Sequence, residues 1–83
     1  MKFKAEIDVM PLEALLDPQG KAVSSNMKNL GLEEVSGVRI GKHISLFVEA
    51  DSKELAEGKV NEACKKLLAN EIMEYFEFEL EEA

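Results

Sequence analysis

The sequence has few of the residues on which metal sites and covalent enzyme mechanisms depend. Its 83 residues include one cysteine (Cys64), one histidine (His43), no tryptophan, two prolines and five glycines. Structural zinc usually needs four Cys or His ligands, so a zinc centre is nearly excluded. We expect Cys64 to be a small buried residue on a helix flank and His43 a surface or interface residue, rather than a nucleophilic pair. A single cysteine allows no internal disulfide, which indicates a reducing, cytoplasmic setting.

Long apolar runs and an excess of positive charge are also missing. Uninterrupted apolar stretches reach three residues, whereas a membrane-spanning helix needs about 20, and the alternating N-terminus has no signal-peptide pattern. The formal net charge of −7 disfavours nucleic acid and anionic membrane surfaces as partners. A single domain this small buries only about 60% of its unfolded surface, which favours a partner surface.

Hydrophobic periodicity and capping residues predict a strand and a helix in the first part of the chain. Apolar and polar residues alternate over residues 2–9, which is typical of a half-buried strand that ends at Met10-Pro11. A short apolar connector, residues 12–16, follows. Asp17 is then the predicted N-cap, with a proline in the first helical position. Helix one is expected over about residues 18–30, before Gly31.

The stretch from Glu34 to Glu49 allows two interpretations. Its apolar residues share one parity: Val38, Ile40, Ile44, Leu46 and Val48. A single long strand bent at Gly41 keeps all of them on one face. A two-residue turn at Gly41-Lys42 makes a hairpin instead and leaves both faces partly apolar. The long strand is the simpler arrangement and is favoured here.

The second half of the chain predicts a helix and a last strand. Asp51 followed by Glu54 resembles a capping box at the start of an amphipathic helix over about residues 52–69, with Asn70 as its stop. Residues 72–80 alternate again, with Phe76, Phe78 and Leu80 predicted inward and Tyr75, Glu77 and Glu79 outward.

This order predicts an α+β, ferredoxin-like two-layer unit, β-α-β(β)-α-β, with two helices on one face of an antiparallel sheet. With a long strand bent at Gly41, two subunits would share strands and complete two such units in a dimer.

Several polar positions invite a functional interpretation. Gly20, in the first turn after Asp17, suggests a close backbone approach by another segment, of this chain or of a partner chain. Arg39 and Lys42 either protect a strand edge or contact a partner. The run Gly37–Lys42 is one residue short of a phosphate-binding loop and has a histidine where Ser or Thr is needed, so nucleotide binding is rejected. The acidic C-terminal residues predict a solvated face.

Glu74 is the exception, because it shares parity with Ile72 and Phe76. It marks either the start of a strand or an interface.

Three blocks, in this order and over a chain of this length, resemble the PurS family, the small subunit of phosphoribosylformylglycinamidine (FGAM) synthase. The blocks are residues 16–23 (LDPQGKAV), 38–42 (VRIGK) and 66–70 (KLLAN). The first two are fairly specific together. The resemblance implies a single PurS-like domain over residues 1–83.

What the resemblance implies is a non-catalytic role in purine biosynthesis. The complex converts formylglycinamide ribonucleotide to its amidine with ATP and glutamine. A separate glutaminase subunit (PurQ) releases ammonia, and a separate synthetase subunit (PurL) activates the amide oxygen. PurS-like subunits form dimers, or dimers of dimers, and bridge these enzymes, so this chain is expected to bind no cofactor, while the complex uses ATP and magnesium. By this resemblance, the candidate subunit contacts are Asp17, Gln19, Gly20, Arg39, Gly41, Lys42, His43 and Asn70.

Two other functions are compatible with the same element order. A dimeric ACT-like module would use the loop from Asp17 to Gly20 to bind an amino acid, and ligand binding would then stabilise the isolated dimer. An RNA-recognition module needs exposed sheet aromatics and a basic face. Phe47 alone is a poor stacking platform and the net charge has the wrong sign, so the RNA module is disfavoured.

Overall fold

The computed structural model describes residues 1–13 and 17–83, so the connector expected over residues 12–16 lies mostly outside the described residues. The elements follow the order β1 (Lys2–Pro11), α1 (Pro18–Asn29), β2 (Lys42–Glu49), α2 (Lys53–Ala63) and β3 (Glu74–Glu82). A π-helical turn, Cys64–Leu68, continues α2. The predicted α+β class and the order strand, helix, strand, helix, strand are confirmed.

The sheet is antiparallel, with β1 between β2 and β3. Ile7 lies opposite Ile44 on one side and Phe78 on the other. Because side chains alternate along each strand, this register places most apolar residues of all three strands on one face, with Met10, Phe47 and Tyr75 on the other. β1 runs two residues beyond the predicted end and pairs Pro11 with Glu74. Proline is accommodated there because β2 pairs with β1 only as far as Val9, so no neighbour on that side needs its missing N–H.

The core lies between the middle of β1 and α2. Ala5, Ile7 and Val9 are completely buried, and Val60 and Cys64 pack against them from the helix. Burial raises the pKa of the Cys64 thiol, so the side chain behaves as a small apolar residue. The expectation for this cysteine is confirmed.

Only one of the two helices covers the sheet. α2 contacts β1 and β2, and no comparable contact joins α1 to any strand among the described residues. The buried residue of α1 is Gly20, in its first turn. The molecule measures 52 × 26 × 14 Å, with a Cα radius of gyration of 16.4 Å, against about 12 Å for a compact chain of this length. Within the single chain, the prediction that both helices lie on one sheet face therefore holds for α2 only.

The residues before β2 do not form the predicted long strand. β2 begins at Lys42, and neither a strand from Glu34 nor a hairpin at Gly41 is present in the described part of the chain. The backbone N–H of Val38 donates to Ser24 in the middle of α1, and that of Ile40 donates to Asp17, the N-cap of the helix, instead of to a neighbouring strand. Residues 38–40 are therefore hydrogen-bonded to α1 and its N-cap and are not part of the sheet.

Element boundaries differ by a residue or two elsewhere. α2 is capped by Ser52, whose Oγ accepts a hydrogen bond from the Leu55 N–H at 3.2 Å, rather than by Asp51. α1 ends as expected, because Gly31 adopts the left-handed conformation with φ of 76°. β3 starts and ends two residues later than the predicted alternation.

Candidate functional site

The start of α1 is joined to the segment before β2 by a group of interlocking contacts, here called the clasp. The clasp consists of Asp17, Gly20, Ser24, Val38, Arg39 and Ile40. Apart from the Asp17–Gly20 cap, the residues that it joins are 14 to 23 positions apart in sequence. The clasp therefore fixes where α1 stands relative to the sheet.

Asp17 is the centre of the clasp. Its Oδ1 accepts from the Gly20 N–H at 3.0 Å, which is the N-cap bond predicted for this residue. Its Oδ2 accepts from the Ile40 N–H at 3.0 Å and lies 3.7 Å from the Arg39 Nε. The hydrogen bonds from Gly20 and Ile40 hold the pKa of the Asp17 carboxyl below its usual value. Because this carboxylate is already occupied by groups of its own chain, it is poorly placed to bind a ligand amine.

The clasp also includes a close backbone approach and two further hydrogen bonds. A Cβ at Gly20 would lie 2.3 Å from the Val38 carbonyl oxygen, so only glycine fits there without a shift. Ser24 Oγ accepts from the Val38 N–H at 3.2 Å. Arg39 donates through Nη2 to the carbonyl oxygen of Pro11, the last residue of β1. The close approach predicted at Gly20 is present, and the group that approaches is the Val38 carbonyl of the same chain.

Gly41 connects the clasp to β2 by a second close approach. A Cβ at this position would lie 2.3 Å from the Val9 carbonyl oxygen and 2.2 Å from the Met10 Sδ. Lys42, the next residue, has its Nζ 4.0 Å from Glu74 Oε2. The chain thus passes from the clasp into the sheet through a position where a side chain does not fit.

Asn70 and Glu74 close the turn before β3. Asn70 Oδ1 accepts from the Ile72 N–H at 3.1 Å, and Glu74 Oε1 accepts from the Asn70 N–H at 2.8 Å. Glu74 therefore marks the start of a strand, one of the two alternatives left by the sequence.

His43 lies on the open face, defined as the sheet face opposite α2. Its Nδ1 is 2.6 Å from Asp8 Oδ1 and its Nε2 contacts Glu6 Oε2. Ser45 Oγ also donates to Glu6, and Lys4 Nζ lies 3.1 Å from its other oxygen. Hydrogen bonds from Ser45, His43 and Lys4 lower the pKa of Glu6 to about 2. The expectation of a surface or interface histidine is consistent with this position.

The structure thus brings together only part of the predicted contact set. Asp17, Gly20 and Arg39 meet in the clasp, and Gly41 adjoins it. Lys42 and Asn70 approach each other through Glu74, whereas His43 lies apart on the open face. Gln19 is exposed, and no side-chain hydrogen bond of the described residues involves it.

Sequence reasoning missed Ser24, Glu6 and the Pro11 carbonyl, which show no local signal. Within residues 1–13 and 17–83, no group of three or more His, Cys, Asp or Glu side chains is arranged to hold a metal ion. None of the described helices is long and apolar enough to cross a membrane.

Replacing Gly20 by alanine tests how tightly the clasp is packed. The new Cβ would meet the Val38 carbonyl, and because this is backbone, we expect Gly20→Ala to lower the free energy of unfolding by roughly 1 to 3 kcal/mol. The matched control is Gly58→Ala, an exposed position of α2 with nothing within 4 Å of the added Cβ, which should stabilise by about 0.5 to 1 kcal/mol. Urea unfolding at one protein concentration measures both. Equal effects of the two substitutions would contradict a tight clasp.

Comparison with known proteins identifies the family. The model of the PurS family, described as Phosphoribosylformylglycinamidine (FGAM) synthase, matches residues 4–82. Phosphoribosylformylglycinamidine synthase subunit PurS of Bacillus subtilis (strain 168) is 40% identical over 80 residues, covering 96% of this chain and 94% of the relative.

Two solved structures extend the likeness to the fold. A chain in the structure of PurLQS from Thermotoga maritima matches with a TM-score of 0.88 and 34% identity, covering 98% of this chain and 99% of that one. PurS from Methanocaldococcus jannaschii, described as one of the subunits of formylglycinamide ribonucleotide amidotransferase in the purine biosynthetic pathway, matches with a TM-score of 0.85 and 28% identity, covering 98% of both chains. Over nearly its whole length, this chain therefore belongs to the PurS family of FGAM synthase.

Proposed function

We propose that this chain is the PurS subunit of an FGAM synthase, the complex that converts formylglycinamide ribonucleotide to its amidine with ATP and glutamine in purine biosynthesis. The observation that carries the proposal is the match to PurS proteins from one end of the chain to the other, in sequence and in fold. In this proposal the chain has no catalytic residue of its own. It acts in the cytoplasm and binds no cofactor, while ATP and magnesium belong to the synthetase subunit.

The proposed role is to hold the glutaminase (PurQ) and the synthetase (PurL) together so that ammonia passes between them. Ammonia released into bulk water is diluted and mostly protonated, and ammonium has no lone pair for attack. Keeping two active sites in register raises the local concentration of the unprotonated nucleophile. Such a role needs a rigid body with contact surfaces, and the clasp supplies rigidity between α1 and the sheet.

The proposal includes a homodimer, because the single chain covers only part of the apolar face of its sheet. The helix-facing residues of β1 are buried. The helix-facing residues of the outer strands, β2 and β3, pack on the core but stay partly exposed: Ile44, Leu46, Val48, Phe76, Phe78 and Leu80. A two-layer α+β unit is stable when its apolar sheet face is covered. One helix on this face leaves room for a second.

α1 carries the apolar stripe that would cover the remaining surface. Val23, Met27 and Leu30 repeat at helical spacing; the first two are half-buried and Leu30 is 71% exposed. Because the clasp holds α1 away from its own sheet, this stripe is placed to pack on a second subunit. In the proposed dimer each α1 covers the partner's sheet, and two ferredoxin-like units are completed by exchange.

Co-fractionation tests the assembly. The purified chain is mixed with a glutaminase subunit and a synthetase subunit of FGAM synthase, with and without glutamine and ADP, and separated by size-exclusion chromatography with light scattering. We expect a complex that contains all three subunits, and a mass of two chains for this protein alone. Separate elution of this chain under all conditions would contradict the assignment to the complex. A monomeric mass in the absence of the enzymes would contradict only the dimer.

A further inference from the structure

The contacts of His43 demand a particular protonation state. Carboxylate oxygens only accept hydrogen bonds, and both ring nitrogens of His43 face one: Nδ1 faces Asp8 and Nε2 faces Glu6. A neutral imidazole carries one N–H, so it can donate to only one of the two. The full set of contacts therefore exists only when the ring is an imidazolium with a proton on each nitrogen.

The charges around this ring are mostly negative. β1 presents Lys4, Glu6 and Asp8, and β3 presents Glu77, Glu79 and the titratable Tyr75. On β2, the uncharged Ser45 donates to Glu6, and Lys42 precedes the ring with its Nζ 4.0 Å from Glu74. The register sets Glu6 opposite Glu79 and Asp8 opposite Glu77. Like charges directly opposite one another destabilise a sheet. A protonated ring on the other side of β1 offsets this repulsion.

The His43 ring is exposed to solvent and lies where β2 joins the sheet. The side chain is 52% exposed, so it exchanges protons directly with solvent. It is the second residue of β2, two positions after Gly41. Its contacts thus fasten β2 to β1 at the point where the chain leaves the clasp and joins the sheet.

From this geometry we propose that His43 is a pH-sensitive link between β1 and β2, complete when the ring is protonated and broken on one side when it is not. Loss of the proton leaves one carboxylate facing a nitrogen lone pair and uncovers the like-charge pairs with β3. The first residues of β2 are then held less firmly. The link is a property of the sheet and does not depend on the proposed place of this chain in FGAM synthase.

The direction of the pH dependence follows from the partners. Hydrogen bonds to Asp8 and Glu6 raise the pKa of His43 above its usual 6.5. A group whose pKa is raised by folding stabilises the native state fully below 6.5 and loses that contribution as the pH rises through the folded-state value. Stability should therefore fall on the alkaline side of neutrality. One proton sets an upper limit of about tenfold in the folding equilibrium constant per pH unit, and exposure to solvent reduces the effect below this limit.

NMR titration of the untagged protein tests the link directly. The sequence has one histidine, so its Cε1–H resonance is unambiguous. We expect a titration midpoint above 6.5 in the wild type, and a lower midpoint in both Glu6→Gln and Asp8→Asn. Glu57→Gln, on the exposed surface of α2, is the matched control and should leave the midpoint unchanged. A wild-type midpoint at or below 6.5, or one that neither carboxylate variant lowers, would overturn the proposal.

Urea unfolding provides the second measurement. Wild type and His43→Gln are compared at one protein concentration from about pH 5.5 to 9, the range in which histidine titrates. We expect the stability advantage of the wild type to shrink as the pH rises. After correction for the base-catalysed intrinsic rate, the hydrogen-exchange protection of residues 42–45 should fall over the same range in the wild type and not in His43→Gln. Parallel stability profiles for the two proteins would mean that the ring does not link folding to protonation.

Discussion

Omitting this chain from a reconstituted FGAM synthase should abolish glutamine-dependent formation of the amidine while leaving most of the activity with added ammonium. The reason is geometric: the synthetase still has its own active site, but ammonia from the glutaminase no longer reaches it undiluted and unprotonated. The measurement is the initial rate of amidine formation with each nitrogen source, with and without the chain. We expect the ratio of the glutamine-dependent rate to the ammonium-dependent rate to fall by roughly 100-fold or more. Holding two sites together typically strengthens the second encounter by a factor of at least this size.

The control separates loss of the bridge from loss of the enzyme. Glutaminase activity and ammonium-dependent synthesis are each measured alone, and the chain is then added back. Equal loss with glutamine and with ammonium would show that the chain is needed for the synthetase itself, which would contradict a bridging role. Retained glutamine-dependent activity without the chain would contradict any role in the transfer of ammonia.

Local patterns predicted most of the elements correctly. The alternation over residues 2–9, the helical spacing after Asp17 and the helix ending near Asn70 are all set by residues a few positions apart in sequence. The order of elements predicted the fold class, and the family resemblance predicted the likeness to PurS; the comparisons confirm both. Boundaries shifted where the choice was between adjacent polar residues, as with Ser52 in place of Asp51.

The failures come from contacts between residues distant in sequence. Val38 and Ile40 have the parity of a strand, but parity does not reveal whether backbone N–H groups bond to a strand or to side chains. Asp17 was predicted as a cap, and its second contact, to the Ile40 N–H, has no sequence signal. The group around His43 follows from the register that sets Asp8 opposite it, and the sequence does not specify that register.

The direction taken by α1 is the largest difference from the expected fold. An apolar stripe at helical spacing indicates that one side of a helix packs on another surface. It does not indicate whether that surface belongs to the same chain or to a second subunit. Here the clasp ties α1 to residues 38–40, and among the described residues no contact comparable to those of α2 joins α1 to a strand. The sheet and the helix each leave apolar surface exposed, and a second copy would cover both at once.

A charge on the apolar side of α1 should break the proposed dimer. Val23 lies half-buried on that side, and in the dimer it would be covered by the partner's sheet. An unpaired aspartate there would lose its hydration without gaining a partner. We expect Val23→Asp to raise the dimer dissociation constant by roughly 100-fold or more, corresponding to about 2.7 kcal/mol. Sedimentation velocity over a series of protein concentrations measures this constant.

Ser25→Asp is the matched control, because it adds the same charge to an exposed position on the other side of the same helix. It should leave the dissociation constant within a few-fold of the wild type, since surface substitutions usually change stability little. Circular dichroism checks that both variants keep their helices. If the two variants associate equally well, α1 does not cover the partner's sheet. The half-exposed residues of β2 and β3 would then have to be covered by another element, such as the enzymes that this chain is proposed to join.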